Sequence, residues 1–403
     1  MKSVEIAPYR DLCTDCGVSR TSEPKRCATA CQFIKPNYPK FEFLAHGKTR
    51  ATQDSDEIFF GPYIEMFRAR LKVPLKGAQW TGIISRLGEV LLNQGLVDAV
   101  ISMRSDPADR WKPEPIIVTR SENMALCRGM KMGYAPIIQY LERAKEMGLR
   151  KVAMVGIPCQ MYAARALEEE FGFEKLFLIG SPCSDNTSTD QFHTFLNLLS
   201  DKPETITYLE FRADYHVEIR FEDGRAQEIP FLKLPLSNLP ADFFPTTCKT
   251  CVDYVNSLSD ITIGYMAGSG EQWIIVRNQQ GQQMLNLLAE ELILEPLTSA
   301  GNRLGPVKGF MKNVERAAGG LPVQKMPNIL RGIFAWVMPR FGPRGLEFAK
   351  ARVEMKAIES IIHLRNTAPH KIKNMVPDHL WGLVKRYGLE AAPEEMKGFR
   401  EST

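Results

Sequence analysis

The sequence predicts an α/β fold with α+β elements, and three patterns carry that prediction. "GIISRLGEVLLNQGLV" has apolar residues at helical spacing, stops at Gly95 and runs directly into the strand-like "DAVISM". The unit recurs as "APIIQYLERAKEMG" followed by "KVAMVGIP". Helix then strand, repeated, places buried strands between helical layers. "ITYLEFRADYHVEIRFEDGRAQEIPF" alternates with period two around Asp223 and Gly224, which is the signature of a β-hairpin inserted in that core. From about Pro327 the chain reads as helices interrupted by Pro339, Pro343, Pro369, Pro377 and Pro393.

These patterns divide the chain into three regions. Residues 1–60 are rich in Cys, Pro and Lys with little periodicity, as expected of a segment held by a metal centre. Residues 61–325 form the α/β core with its hairpin, and residues 326–403 a basic helical extension. Over 403 residues, 44% apolar and 24% charged is the composition of a globular protein and excludes disordered or fibrous classes. No run approaches the roughly 18 consecutive apolar residues of a membrane span. The start, "MKSVEIAPYRDLC", has neither the apolar run of a signal peptide nor the Ser- and Arg-rich, acid-poor character of a transit peptide. A cytoplasmic, prokaryotic protein is expected. The net charge of +4 is uneven, about +9 from residue 301 onward and about −5 before it. A basic tail suits a solvated surface, an acidic protein partner or peripheral contact with an anionic membrane.

The cysteines carry the chemistry. Cys13, Cys16, Cys27 and Cys31 stand as C-x2-C-x10-C-x3-C, a spacing from which four thiolates can converge on one centre; zinc and an iron–sulfur cluster both fit it. Cys248 and Cys251 form a second C-x2-C. Cys159 in "VGIPCQ" and Cys183 in "LIGSPCSDN" each follow a buried strand at its carboxyl end, where open α/β sheets place their sites. A structural zinc site seldom draws its ligands from three places across a core, whereas a redox centre beside a cofactor pocket can. In a compartment that keeps thiols reduced, ligation or redox catalysis is a better use of clustered cysteines than disulfides.

The segments "GAQWTGIISRLGEVLLNQGLVDAVI", "GIPCQ", "SPCSDN" and "CKTCVDYVNSLSDITIGYM" resemble the family formed by the beta subunits of the deazaflavin-coenzyme-reducing hydrogenases. Within it they are most similar to the photosynthetic branch, the ferredoxin-dependent 3,8-divinyl (proto)chlorophyllide 8-vinyl reductases and the 7-hydroxymethyl chlorophyll a reductases. The resemblance runs over most of the chain. It implies an iron–sulfur N-terminal segment, a flavin-binding α/β core, FAD and two 4Fe-4S clusters. It assigns Cys13, Cys16, Cys27 and Cys31 to one cluster and Cys159, Cys183, Cys248 and Cys251 to the other, with Cys127 left over as a substitute for one of the second four. No G-x-G-x-x-G follows a strand, so a dinucleotide fingerprint is absent. The resemblance instead places FAD on Gln79, Trp80, Thr81, Gly82, Gly129, Lys131, Gly133, Asn186, Thr262, Gly264, Tyr265 and Met266.

The function implied is reduction of the 8-vinyl group of a divinyl (proto)chlorophyllide to ethyl, with ferredoxin as electron donor. A flavin collects single electrons and releases a hydride. Asp185, His193 and Tyr265 lie in or beside the motif segments and are the candidate proton donors. Trp80, Phe243, Phe244 and Tyr265 are candidate walls for a flat pigment. Three other readings stand beside this one. The same cofactors serve a 7-hydroxymethyl chlorophyll a reductase, or an electron-transfer subunit of a hydrogenase-like complex. A zinc-stabilised nucleic-acid-binding protein would use the C-x2-C pairs and the basic tail, yet it has no use for cysteines at strand ends, so no nucleic-acid partner is expected. A homo-oligomer is compatible with all of them.

Overall fold

The structure, a computed structural model, describes residues 13–265, 272–317 and 327–396. Its centre is a mixed sheet. In chain order the strands are β1 (Glu65–Leu71), β2 (Ala99–Asp106), β3 (Asp109–Val118), β4 (Lys151–Gly156), β5 (Lys175–Gly180), β6 (Ile206–Phe211), β7 (His216–Phe221), β8 (Ala226–Pro230), β9 (Ile261–Gly264), β10 (Gln272–Val276) and β11 (Leu292–Glu295). β2, β4, β5 and β9 run parallel and adjacent; β3 pairs antiparallel at one side, and β10, β1 and β11 extend the sheet at the other. The parallel strands are apolar on both faces, as a sheet covered by helices requires.

Each strand shows this by alternation. Ala153 of β4 and Phe177 and Ile179 of β5 face helix Ile83–Asn93, whose Ile83, Leu87 and Leu91 pack on them. Val152 and Met154, with Leu176 and Leu178, point the other way onto helices Ile138–Glu146 and Pro158–Phe171. The helix–strand units predicted from periodicity are therefore present, with helices on both faces.

Two regions differ from expectation. The N-terminal segment has apolar anchors as well as its cysteines: Val18 and Ala30 join the core under helix Pro158–Phe171, and Tyr38 and Phe41 meet Tyr162 edge-on at 5.5 and 5.0 Å. The C-terminal extension is part of the core. Helix Leu346–Thr367 buries Ala357, Ile358 and Ile361 against Phe60, Tyr254 and Trp273. Its charged residues are interleaved with apolar ones around the whole circumference and are satisfied inside, so periodicity shows no solvent face. The hairpin is a three-stranded sheet, β6-β7-β8, because a second turn at residues 212–215 carries Tyr215 at φ +67° in place of the glycine a reader would look for. No described helix is long and apolar enough to cross a membrane.

One residue fixes how the strand ends meet. β9 starts level with the end of β5, Ile261 opposite Ile179 and Thr262 opposite Gly180. The loop leading into β9 therefore crosses the carboxyl ends of β4 and β5. There the fully buried Asn256, held at φ +59°, donates from Nδ2 to the carbonyls of Gly156 at 2.9 Å and Ser181 at 3.0 Å. Asn is among the few residues that enter the left-handed region readily. Asn256→Leu should leave the Ser181 carbonyl without its side-chain donor, reduce the Gly156 carbonyl to its bond from Ser181 N–H, and strain the backbone, costing on the order of 3 kcal/mol. A urea titration that places the midpoint of the variant at that of the wild type would contradict this account.

Candidate redox site

The ends of β4 and β5 deliver Cys159 and Cys183. Pro158 starts the helix after β4 at its first position, where a missing N–H costs nothing, and so sets Cys159 in the first turn. Cys183 donates its backbone N–H to the carbonyl of Tyr254 at 3.0 Å, which ties it to the loop that carries Cys248 and Cys251. Cys159, Cys183, Cys248 and Cys251 line one narrow crevice, and Cys16 of the N-terminal group lines it too. Cys13, Cys16, Cys27 and Cys31 lie within electrostatic reach of one another. The structure thus brings together both sets of four and places them side by side. Cys127 is apart from them, beside Ser102 and Lys131.

The crevice is hostile to bare thiolates. Burial raises Cys251 to about 11 and Cys248 to about 12, and pushes Cys159 and Cys183 well up, with neighbouring thiols adding to the rise at both. Deprotonating four such groups needs positive charge in their midst, which a metal centre provides. Hydrogen-bond donors already point at sulfur: Asn186 N–H at Cys248 Sγ (3.4 Å), Gln32 Nε2 at Cys251 Sγ (3.6 Å) and Asp15 N–H at Cys13 Sγ (3.3 Å). Donors of this kind orient and tune thiolate ligands. Among the described residues, no three His, Cys, Asp or Glu side chains stand as they would around a single ion. Four thiols in each quartet offer a metal centre the ligands that zinc and an iron–sulfur cluster alike require.

Lys356 is the cation that the sequence hid. It sits on the C-terminal helix, in what reads as a basic surface, yet it is buried, with Nζ donating to Asp185 Oδ1 (2.8 Å), the carbonyl of Cys248 (2.7 Å) and Glu359 Oε2 (2.7 Å). Asp185 is thereby an ion-pair partner beside the thiols. His193, by contrast, lies on helix Thr189–Leu199 against Asp109 at 2.8 Å, half-exposed and outside both the crevice and the cleft described next.

Trp80 and Tyr265 stack with ring centroids 5.8 Å apart and planes 6° apart, and Tyr265 in turn meets Phe348 of the C-terminal helix edge-on at 6.3 Å. Trp80 holds φ +49°, a conformation that a bulky side chain adopts only under constraint. It lines an open cleft of about 500 Å³, between loop 74–80 and one face of the small sheet, together with Leu75, Tyr208, Glu210, Arg212 and Arg220. Gln79 is half-buried next to it. Other expected flavin contacts are occupied by the fold itself. The Thr81 hydroxyl lies between Leu71 N–H and Gln272, and the Thr262 hydroxyl among Val255, Asn256, Ser259 and Arg277. A Cβ on Gly82 would meet Ala78 at 2.9 Å, on Gly133 Thr189 at 2.4 Å and on Gly264 Pro182 at 2.6 Å. Lys131 spans the carbonyls of Cys127, Arg128 and Gly129, and burial lowers it to about 8. Asn186 donates to the Gly133 carbonyl at 2.8 Å. Met266 lies outside the described residues. Phe243 is buried under the small sheet, edge-on to Phe244 at 4.8 Å, in neither the cleft nor the crevice. The Trp80–Tyr265 wall and the Gly129 turn, with φ +83° and open surroundings, are the parts of this set that present free surface suited to a flavin; the other glycines and hydroxyls named here make the contacts within the fold just described.

Glu210 was not visible in the motifs. It lies on β6 one pleat from Tyr208, whose hydroxyl donates to Glu210 Oε2, while Oε1 is buried with no hydrogen-bond partner. Glu218 stands directly opposite it on β7. Burial, reinforced by the Glu218 charge, raises the Glu210 carboxyl above the usual range. The period-two stripe of Tyr208, Glu210 and Arg212, facing Glu218 and Arg220, was the available signal: polar residues on one face of a strand whose neighbours are apolar.

Residues 66–142 match the N-terminal part, and residues 149–299 the C-terminal part, of the family described as coenzyme F420 hydrogenase/dehydrogenase, beta subunit. A protein of Nostoc sp. described as uncharacterized is 33% identical over 95% of this chain and 95% of its own length. The chloroplastic 7-hydroxymethyl chlorophyll a reductase of Oryza sativa is 32% identical over 97% of this chain and 86% of its own. The beta subunit of the coenzyme F420 hydrogenase of Methanosarcina barkeri is 27% identical over 57% of this chain and 80% of its own. Among solved structures, a chain of the F420-reducing NiFe hydrogenase complex from Methanosarcina barkeri superposes with a TM-score of 0.55 at 21% identity, over 74% of this chain and 91% of that one, and so shares the fold.

Lys356→Met would leave Asp185 and Glu359 buried beside the cysteines without a counter-charge. Breaking a buried pair in this way is expected to cost on the order of 3 kcal/mol. A urea midpoint that does not fall would show that the lysine is dispensable to the cage.

Proposed function

The chain belongs to the family of coenzyme F420 hydrogenase/dehydrogenase beta subunits, and from that membership and its site we propose that it reduces a chlorophyll-type pigment with electrons from ferredoxin. The observation that carries this reading is the coincidence of end-to-end similarity to the rice reductase with two cysteine quartets beside an aromatic-walled cleft. Cys13, Cys16, Cys27 and Cys31 would hold one 4Fe-4S cluster, and Cys159, Cys183, Cys248 and Cys251 the other. Trp80 and Tyr265 would bind FAD. When bound, these groups supply the conversion of single electrons into a hydride.

The chain's own residues do the rest. Leu75 and Trp80 offer the pigment an apolar wall, and Arg212 and Arg220 lend positive charge at the cleft rim. Glu210 is the group suited to hand on a proton: burial raises its carboxyl above the usual range, and the Tyr208 hydroxyl orients it. Addition of a hydride to one carbon of a vinyl group leaves the other to take a proton, and Glu210 stands in the cleft to give it, with solvent restoring the carboxyl. The 8-vinyl group of a divinyl (proto)chlorophyllide is our first reading. The second is replacement of the 7-hydroxymethyl hydroxyl by hydrogen, which the name of the rice relative favours. The same acid would there protonate the leaving hydroxyl. Co-purification of a large partner would instead favour an electron-transfer subunit.

Two measurements test this. Anaerobically purified protein should carry about eight irons and one FAD, and Cys159→Ser should carry about half the iron; colourless protein holding zinc would end the proposal. In assays with reduced ferredoxin and each pigment, the rate should fall as pH rises through the elevated Glu210 pKa, since the acid works only while protonated. Glu210→Gln should slow reduction by about 10²-fold or more and remove that alkaline limb, with pigment affinity unchanged within a factor of about three. An unaltered pH profile would assign the proton to another group.

A further inference from the structure

Helix Asn328–Phe341 gathers large apolar side chains on its exposed surface. Ile329, Leu330, Ile333, Phe334, Trp336 and Phe341 are between 43% and 80% exposed. Their spacing puts them on one face, and Ala335, the buried residue of the helix, looks the opposite way. We propose that this helix lies flat on an anionic lipid surface, independently of which reaction the site performs.

Charge decides between lipid and a second copy of the chain. The helix contains Arg331 and Arg340 and no acidic residue, and Arg344 follows it. None of the three has a carboxylate partner among the described residues. Arg340 and Arg344 are the exposed ones, and Arg340 falls within the apolar face, so a self-interface built there would set like charges together, whereas lipid phosphates complement them. Arg340 lies with its guanidinium 4.6 Å from the centre of the Trp336 ring and donates from Nη1 to the Trp336 carbonyl at 2.9 Å. An amphipathic ring beside a long cationic side chain belongs at a polar–apolar boundary. Fourteen residues span about 21 Å, too short to cross a bilayer of about 30 Å. Such a helix is suited to lie in the interface, apolar face down. It packs against the turn Phe231–Lys233, which follows β8 of the small sheet whose other strands line the Trp80 cleft. Lipid contact here would bring that cleft close to the bilayer.

The test is sedimentation of the purified full chain with phosphatidylcholine vesicles, with and without phosphatidylglycerol, at low and high salt. The wild type should bind the anionic vesicles, less so at high salt. Phe334→Ser combined with Trp336→Ser should weaken partitioning more than tenfold, and Arg340→Ala about fivefold. Circular dichroism should show the variants folded, since these side chains are exposed; Ile329→Asn, at the most exposed position, provides a second substitution should the double variant misfold. Failure of the wild type to bind, or binding that the apolar substitutions leave unchanged, would overturn the proposal. So would a wild-type oligomer, seen by light scattering, that dissociates in the double variant without any vesicle binding, since the face would then join copies of the chain.

Discussion

The site depends on keeping the ends of two parallel strands and one incoming loop in register, and Asn256 does this with a single side-chain amide. Its two hydrogen bonds, to Gly156 and Ser181, reach the residues from which the Cys159 and Cys183 loops depart. Because the loop that holds Asn256 also carries Cys248 and Cys251, one amide sets the spacing of all four sulfurs. Gly180 must be glycine for the same reason: a Cβ there would sit 2.6 Å from Ser259 and 2.7 Å from Asn256. A polar side chain buried at such a point gains little net energy, but removing it is expensive, and that asymmetry makes it a device for geometry.

The molecule meets the cost of buried charge in two ways at neighbouring places. Around the cysteines it imports a cation, Lys356, and surrounds it with Asp185, Glu359 and a carbonyl so that every ammonium proton has an acceptor. At the cleft Glu210 faces Glu218 across the ladder, and burial, with the Glu218 charge adding to it, shifts the Glu210 carboxyl toward its protonated form. The first arrangement suits a place where negative charge is stored, and the second a place where a proton is held.

Much of this was legible in the sequence. Period and turn residues located the helices flanking the sheet, and strand-end cysteines after a proline announced the crevice, because sheet topology puts such positions at one edge. What was not legible shares a physical cause. The C-terminal helix reads as basic and polar because its charges are satisfied by partners far away in sequence, which no local period reveals. Glu210 was lost in an alternating strand whose polar face is ordinarily solvent. Thr81 and Thr262 came from the family resemblance, and the hydrogen bonds their hydroxyls make within the fold join residues distant in sequence, which no local pattern displays.

The helix Leu346–Thr367 touches both halves of the site, Phe348 at the aromatic wall and Lys356 at the cage. It also comes after every cysteine of the two quartets in the chain. Chains emerge N-terminal first and begin to fold as they do, so all eight cysteines of the two quartets leave the ribosome well before the lysine that closes over them. The order of residues along the chain thus brings the counter-charge to the crevice after all the thiols it faces.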